Sequence, residues 1–91
     1  EGERVDRRLT GAVLSDFRSD DESIGSAGVL VAHVIPNSTA WVYGLRSGDI
    51  VVAANRQATS SIGQLTERMR YTSTVSLRVY RAGQYGSIVL R

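Results

Sequence analysis

Residues 44–54 read Gly-Leu-Arg-Ser-Gly-Asp-Ile-Val-Val-Ala-Ala and combine a turn with a buried strand. The segment 45–49 predicts the turn, because glycine and small polar residues accommodate the backbone angles that turns require. The apolar run from Ile50 to Ala54 has the length of a strand buried on both faces. Gly44 predicts the end of a preceding helix, since glycine adopts a positive φ without steric cost.

A second strand is predicted upstream, over residues 28–35 (GVLVAHVI), which are rich in β-branched side chains and end before Pro36. Ser38 follows as the N-cap of a one-turn helix over residues 39–43. Within the strand, the expected core positions are Val29, Val31 and, past a bulge, Val34.

Downstream, Asn55-Arg56 is a tight connection into residues 57–59, and Ser60 or Ser61 caps a true helix over residues 61–70. Its apolar stripe has helical spacing and consists of Ile62, Leu65, Thr66 and Met69. The end of the chain alternates between apolar and polar residues, with a turn at residues 81–84, and predicts a terminal hairpin.

The N-terminal part is less regular. Residues 1–8 show no period and are interpreted as a linker or tail. From Leu9, a glycine-containing turn runs into a short strand over residues 12–16, and residues 16–27 are interpreted as a loop rich in Ser, Asp and Gly.

The 91 residues suit one domain, which excludes a multidomain enzyme. Cysteine is absent, so the sequence contains neither disulfides nor thiolate metal ligands. No apolar run approaches the roughly 18 residues that span a bilayer, so direct membrane insertion is not expected. The sequence does not start with a signal stretch, and we expect it to be an excised or mature piece of a precursor.

All eleven basic residues are Arg, and their distribution is uneven. Residues 1–22 carry four Arg and seven acidic side chains, whereas residues 46–91 carry seven Arg and two acidic ones. The Arg residues of the second half are scattered singly, without interleaved aromatic residues. This spacing favours a solvated surface over a nucleic-acid site, which needs clustered cations.

No catalytic, metal or cofactor site is predicted. A serine triad needs an imidazole, and His33 is expected to be exposed on its strand. The acidic residues Asp16, Asp20, Asp21 and Glu22 lack the ligand spacing of a calcium loop. Residues 25–28 precede a strand and do not open a phosphate-binding helix. Asp49 is expected to bond local backbone amides.

Peptide capture suits the remaining features. If the strand 12–16 lies at a sheet edge beside the helix 61–70, its free backbone groups can accept an added strand. The turn at Thr10-Gly11-Ala12 would present successive amides to a carboxylate at the end of this groove.

The order of motifs resembles that of a bacterial PDZ domain, most closely the PDZ domains of periplasmic HtrA (Deg-type) serine proteases. The resemblance covers residues 9–91 and is carried by the Gly-Leu-x-x-Gly-Asp-Ile turn, the following Asn-Arg and Ser-Ile-x-x-Leu. The segment 9–16 and the end of the sequence look more like the second, C-terminal PDZ domain of such a protease. Segments 9–16 and 28–38 also resemble the corresponding parts of a bacterial PDZ domain.

The resemblance implies a mainly β fold with two helices (α+β), a partly open sandwich or barrel of five or six strands in the bacterial, circularly permuted order. It implies a non-catalytic module, without cofactors, that serves a serine endopeptidase in the bacterial periplasm. The implied carboxylate loop is Thr10, Gly11 and Ala12. The implied peptide-pairing and groove residues are Leu9, Val13, Leu14, Ser15, Ile62, Leu65, Thr66 and Met69.

Two functions remain open at this level. The first is capture of extended apolar C-termini or unfolded segments for an upstream protease domain, where Arg8 either attracts the carboxylate or is a solvated linker residue. The second is docking on the protease domain and other PDZ domains of the same oligomer. Trp41 and Val42 support docking, because a one-turn helix is expected to leave them exposed.

Overall fold

The structure, a computed structural model, describes residues 2–18 and 27–91. Its centre is a six-stranded antiparallel sheet in which β1 lies at one edge and β6 at the other, in the order β1-β2-β3-β5-β6, with β4 paired to β3. The strands are β1 (Ala12–Arg18), β2 (Ala27–Val34), β3 (Ile50–Ala54), β4 (Gln57–Ala58), β5 (Val75–Arg81) and β6 (Gln84–Leu90). The sheet is not closed, and the predicted mainly β fold is confirmed.

In the part of the chain that the structure describes, three α-helices accompany the sheet: α1 (Gly2–Val5), α2 (Thr39–Tyr43) and α3 (Ile62–Met69). Ser38 caps α2 by accepting a hydrogen bond from the amide of Trp41, and Ser61 caps α3 by accepting one from the amide of Gln64. Gly44 ends α2 with φ of 111°. The caps predicted for these two helices are therefore confirmed, and each satisfies backbone groups that a helix end leaves unpaired.

The core lies between the sheet and the helices. Val29, Val31 and Val34 are all buried. The pairing of β1 with β2 shifts between Val13 and Leu14, because β2 contains an extra residue at Ala32. This is the predicted bulge. Because of the extra residue, Val34 faces the core together with Val29 and Val31.

Residues 2–8 differ from the predicted linker or tail. They form α1 and most of a 3-10 turn over Arg7–Leu9, and Gly2 and Arg8 are buried. The sequence shows no period here because these turns are too short for one, and their order comes from contacts with α3 and β1. The prediction of two helices therefore missed α1, while the domain boundary at Leu9 stays a prediction.

Within the predicted loop over residues 16–27, the structure places residues 16–18 in β1 and Ala27 at the start of β2. Asp20, Asp21, Glu22 and the start of the segment 25–28 lie outside the described residues. His33 is exposed, as predicted. Within the described ranges, no helix has the length and apolar character needed to cross a membrane.

Candidate functional site

One edge of the sheet and one helix form the candidate groove. Among the described strands, β1 pairs with β2 alone, and α3 contacts β1. Along β1, Val13 and Ser15 are exposed while Ala12 and Leu14 are buried. The edge position leaves backbone groups of β1 available for an added strand, which is how extended peptides extend a sheet.

The loop Thr10-Gly11-Ala12 precedes β1 and turns its carbonyl groups inward. The carbonyl oxygen of Thr10 accepts a hydrogen bond from the amide of Ala40 (3.0 Å), and that of Gly11 accepts one from the amide of Ile35 (2.9 Å). In a trans peptide the C=O and N–H groups point in opposite directions. The amide of Gly11 therefore points away from Ala40 in α2, and the amide of Ala12 points away from Ile35, which follows β2.

Gly11 makes this loop possible. Its φ is 97°, and a Cβ at this position would lie 2.2 Å from both Cβ and Oγ of Ser38. Both the backbone conformation and the contact exclude a side chain. The loop thus lies directly against the residue that caps α2.

The helix side of the groove is only partly open. Leu65 and Met69 are buried in the core, as is Leu9. Ile62 and Thr66 are half-buried. A cavity of about 240 Å³ lies here, lined by Arg4, Val5, Leu14, Ile62 and Thr66. Of the groove residues that the resemblance implies, Leu14, Ile62 and Thr66 line this cavity, while Leu9, Leu65 and Met69 pack within the core.

A hydrogen bond joins the two walls of the groove. Asp16 Oδ1, on β1, accepts a bond of 2.7 Å from the amide of Ile62 in the first turn of α3. An acidic group in this position satisfies an unpaired helix donor and suits the positive end of the helix. The sequence analysis placed Asp16 at the junction of the strand 12–16 and the loop 16–27, and no local pattern connects it with a helix that begins 46 residues later.

Arg8 is not a solvated residue, because its guanidinium is engaged inside the fold. It binds Asp6 through Nε (2.8 Å) and Nη2 (3.0 Å), and it donates to the carbonyl oxygens of Ser73 and Met69. The hydrogen bonds from Arg8 lower the pKa of Asp6, and Asp6 in turn raises the pKa of Arg8. These contacts attach residues 6–8 to the end of α3.

Trp41 is less exposed than the sequence predicted. It is half-buried and packs against the hydrophobic core, and Arg46 Cζ lies 3.6 Å from the centre of its ring. Arg46 is held there by its bond to the carbonyl oxygen of Trp41 (2.8 Å). The expectation of exposure is wrong for Trp41, because Arg46 and the core cover the indole, and right for Val42, which is 75% exposed.

Comparison with known proteins decides the family. The model of the PDZ domain matches residues 5–79. The chain belongs to the PDZ family. A probable periplasmic serine endoprotease DegP-like of Marinomonas sp. (strain MWYL1) is 34% identical over 93% of this chain and 20% of its own length. A probable periplasmic serine protease do/HhoA-like of Haemophilus influenzae is 35% identical over 80% of this chain and 15% of its own length.

Solved structures agree with this assignment. The crystal structure of the HtrA3 PDZ domain bound to a phage-derived ligand (FGRWV) has a TM-score of 0.66 and 26% identity, covering 88% of this chain and 86% of that one. The predicted resemblance to HtrA-type PDZ domains is therefore confirmed. The predicted periplasmic location agrees with the names of the curated relatives. This PDZ domain spans about a fifth or less of the length of those relatives.

Proposed function

We propose that this PDZ domain captures extended apolar C-termini or unfolded segments by β-strand addition along β1, without catalysing a reaction itself. It would thereby serve substrate recognition or regulation for a serine protease domain of the same polypeptide. The observation that carries the proposal is the edge position of β1 directly after a loop whose Gly11 and Ala12 amides point away from α2 and from the end of β2. The HtrA3 PDZ structure, which has a ligand bound, supports it.

The proposed complex follows from this geometry. The peptide lies antiparallel to Val13, Leu14 and Ser15, its carboxylate approaches the amides of Gly11 and Ala12, and its side chains face Ile62 and Thr66. Each backbone hydrogen bond contributes about 0.5–1.5 kcal/mol, and charge-assisted bonds to the carboxylate contribute about 1.5–3 kcal/mol. Association and ordering costs offset much of this, so we expect a dissociation constant of roughly tens to hundreds of micromolar.

The test is a calorimetric or NMR titration of the 91-residue domain with the pentapeptide FGRWV as free acid and as C-terminal amide. We expect the acid to bind about tenfold more tightly, because the amide loses the charge-assisted bonds. Equal affinities would contradict carboxylate recognition. Absence of binding for both peptides would contradict peptide capture.

A pair of variants on α3 localises the binding. Thr66→Glu places a charge at the half-buried wall of the cavity, whereas Gln64→Glu places the same charge on the exposed side. Gln64→Glu also keeps the oxygen that accepts hydrogen bonds from Ser60. We expect only Thr66→Glu to weaken peptide binding, and equal weakening by both would place the peptide elsewhere.

Docking onto the protease domain or onto other PDZ domains of an oligomer is the second candidate function. The exposure of Val42 favours it, since an exposed apolar side chain next to an aromatic residue suits an interface. Val42→Asp would weaken such an assembly in analytical ultracentrifugation of the full-length protease and leave peptide binding unchanged.

A further inference from the structure

α1 lies in the groove in which the proposed function places a peptide. It contacts both α3 and β1, the two walls of that groove. Val5 packs against the hydrophobic core, and Val5 and Arg4 complete the lining of the cavity next to Leu14. An apolar side chain of the domain itself thus occupies one side of the space that a ligand side chain would enter.

The start of α1 lies against the end of the 3-10 turn. Gly2 is buried, and a Cβ on it would lie 2.0 Å from the carbonyl oxygen of Leu9. Such close contact with a backbone atom accepts only glycine. Leu9 immediately precedes the loop Thr10-Gly11-Ala12, so α1 extends up to the expected carboxylate end of the groove.

The end of α1 is held by a chain of hydrogen bonds. The amide of Asp6 donates to the carbonyl oxygen of Gly2 (2.9 Å), and the carboxylate of Asp6 binds Arg8, which donates to the carbonyl oxygen of Met69. A four-residue helix is not stable by itself, because the hydrogen bonds of a single turn do not offset the free-energy cost of helix nucleation. A few tertiary contacts therefore determine whether α1 stays in the groove.

We propose that α1 is a built-in plug of the peptide groove, and that a peptide binds only when α1 leaves its position between β1 and α3. This inference rests on the proposed peptide-binding function. The remaining cavity of about 240 Å³ is smaller than the roughly 300–1,000 Å³ of sites that enclose a drug-sized ligand. The apparent affinity of the domain is then the affinity of the open groove multiplied by the fraction of molecules whose groove is open.

Two substitutions test the plug from its two ends. Val5→Asp removes the apolar contact of α1 with the core, and Gly2→Ala introduces the clash with the carbonyl of Leu9. We expect each to bind FGRWV free acid about three- to tenfold more tightly than the unchanged domain, because the open fraction rises. Val42→Asp is the matched control, since it introduces the same side chain at an exposed position of α2, and it is expected to leave the affinity unchanged.

Hydrogen exchange of the unchanged domain gives a readout that does not depend on substitutions. The amide of Asp6 donates to the carbonyl oxygen of Gly2 and closes the turn of α1. Saturation with FGRWV is therefore expected to accelerate the exchange of this amide, while the exchange rates of the amides in β5 and β6 stay unchanged. Circular dichroism of Val5→Asp and Gly2→Ala checks that both variants remain folded.

The outcomes separate the two proposals. If the unchanged domain and both variants bind the peptide equally and Asp6 exchange does not change, α1 is not a plug, while peptide capture stands. If the peptide binds to none of them, peptide capture fails and the plug fails with it. Tighter binding by the variants together with faster exchange at Asp6 supports both.

Discussion

Arg81 and Asp49 form a two-point ion pair between β5 and the turn that precedes β3. Arg81 Nε lies 2.6 Å from Asp49 Oδ1, and Arg81 Nη2 bonds both Asp49 Oδ2 and the carbonyl oxygen of Gly44. Asp49 is fully buried, and its Oδ2 also accepts the amide of Arg46, which confirms the predicted bond to a local amide. The pair therefore joins the Gly44–Asp49 turn to the terminal hairpin.

Arg81→Ala is expected to lower the free energy of unfolding by about 2–4 kcal/mol, because it leaves the buried carboxylate of Asp49 without its counter-ion. Urea denaturation measures the change. Arg78→Ala, at an exposed position of the same strand, is expected to cost about 0.5 kcal/mol. The double variant Arg81→Ala with Asp49→Asn should recover part of the loss, and additive losses would contradict the ionic explanation.

Gly11→Ala is expected to destabilise the domain by about 2–4 kcal/mol, because it combines a strained backbone with a clash against Ser38. Gly83→Ala separates these effects, since Gly83 also has a positive φ but has open space where the Cβ would lie. We expect it to cost about 1–2 kcal/mol in thermal unfolding. Equal costs would show that Ser38 moves aside without penalty.

The ion pair between Asp6 and Arg8 predicts a pH-dependent contribution to stability. Arg8 lowers the pKa of Asp6 below its ordinary value of 3.8, so the folded state favours the charged carboxylate. The resulting stabilisation, about 1 kcal/mol, is fully present above the unfolded-state pKa and is lost as the pH falls through the lower folded-state pKa.

Urea titrations from pH 7 to pH 2 test this with Asp6→Asn as the matched variant. The difference in unfolding free energy between the two proteins should stay constant above about pH 5 and shrink below it, since only the unchanged protein carries the titrating group. A difference that grows as the pH falls would contradict the assigned sign.

Trp41→Ala is expected to cost about 2 kcal/mol of stability, because the indole packs on the core and under Arg46, although it is not fully buried. Val42→Ala, one position further on the same helix, is expected to stay within about 0.5 kcal/mol. Thermal unfolding of both variants provides the measurement. Similar values for the two would place Trp41 at the surface.

Local signals were sufficient for much of the fold. The cap at Ser38, the cap of α3 at Ser60 or Ser61, the end of α2 at Gly44 and the strand 50–54 were predicted from residue type and spacing. Each depends on interactions within a few residues, so the local sequence contains what determines it. The faces of α3 follow in the same way from helical periodicity.

Other features depend on residues far apart in the chain. Arg8 reaches Met69 across 61 residues, Asp16 reaches Ile62 across 46, and Arg81 reaches Asp49 across 32. No periodicity or motif connects such pairs, because the folded backbone alone brings them within hydrogen-bond distance.

The sequence by itself thus determined the positions of α2 and α3 among the main strands, the family resemblance and the side of α3 that faces the sheet. Only the tertiary structure decided that Trp41 is partly covered, that Arg8 is engaged and that α1 contacts both α3 and β1. The physical reason is that α1 is a single turn without intrinsic stability, and its position results from packing of Gly2 and Val5 against distant elements.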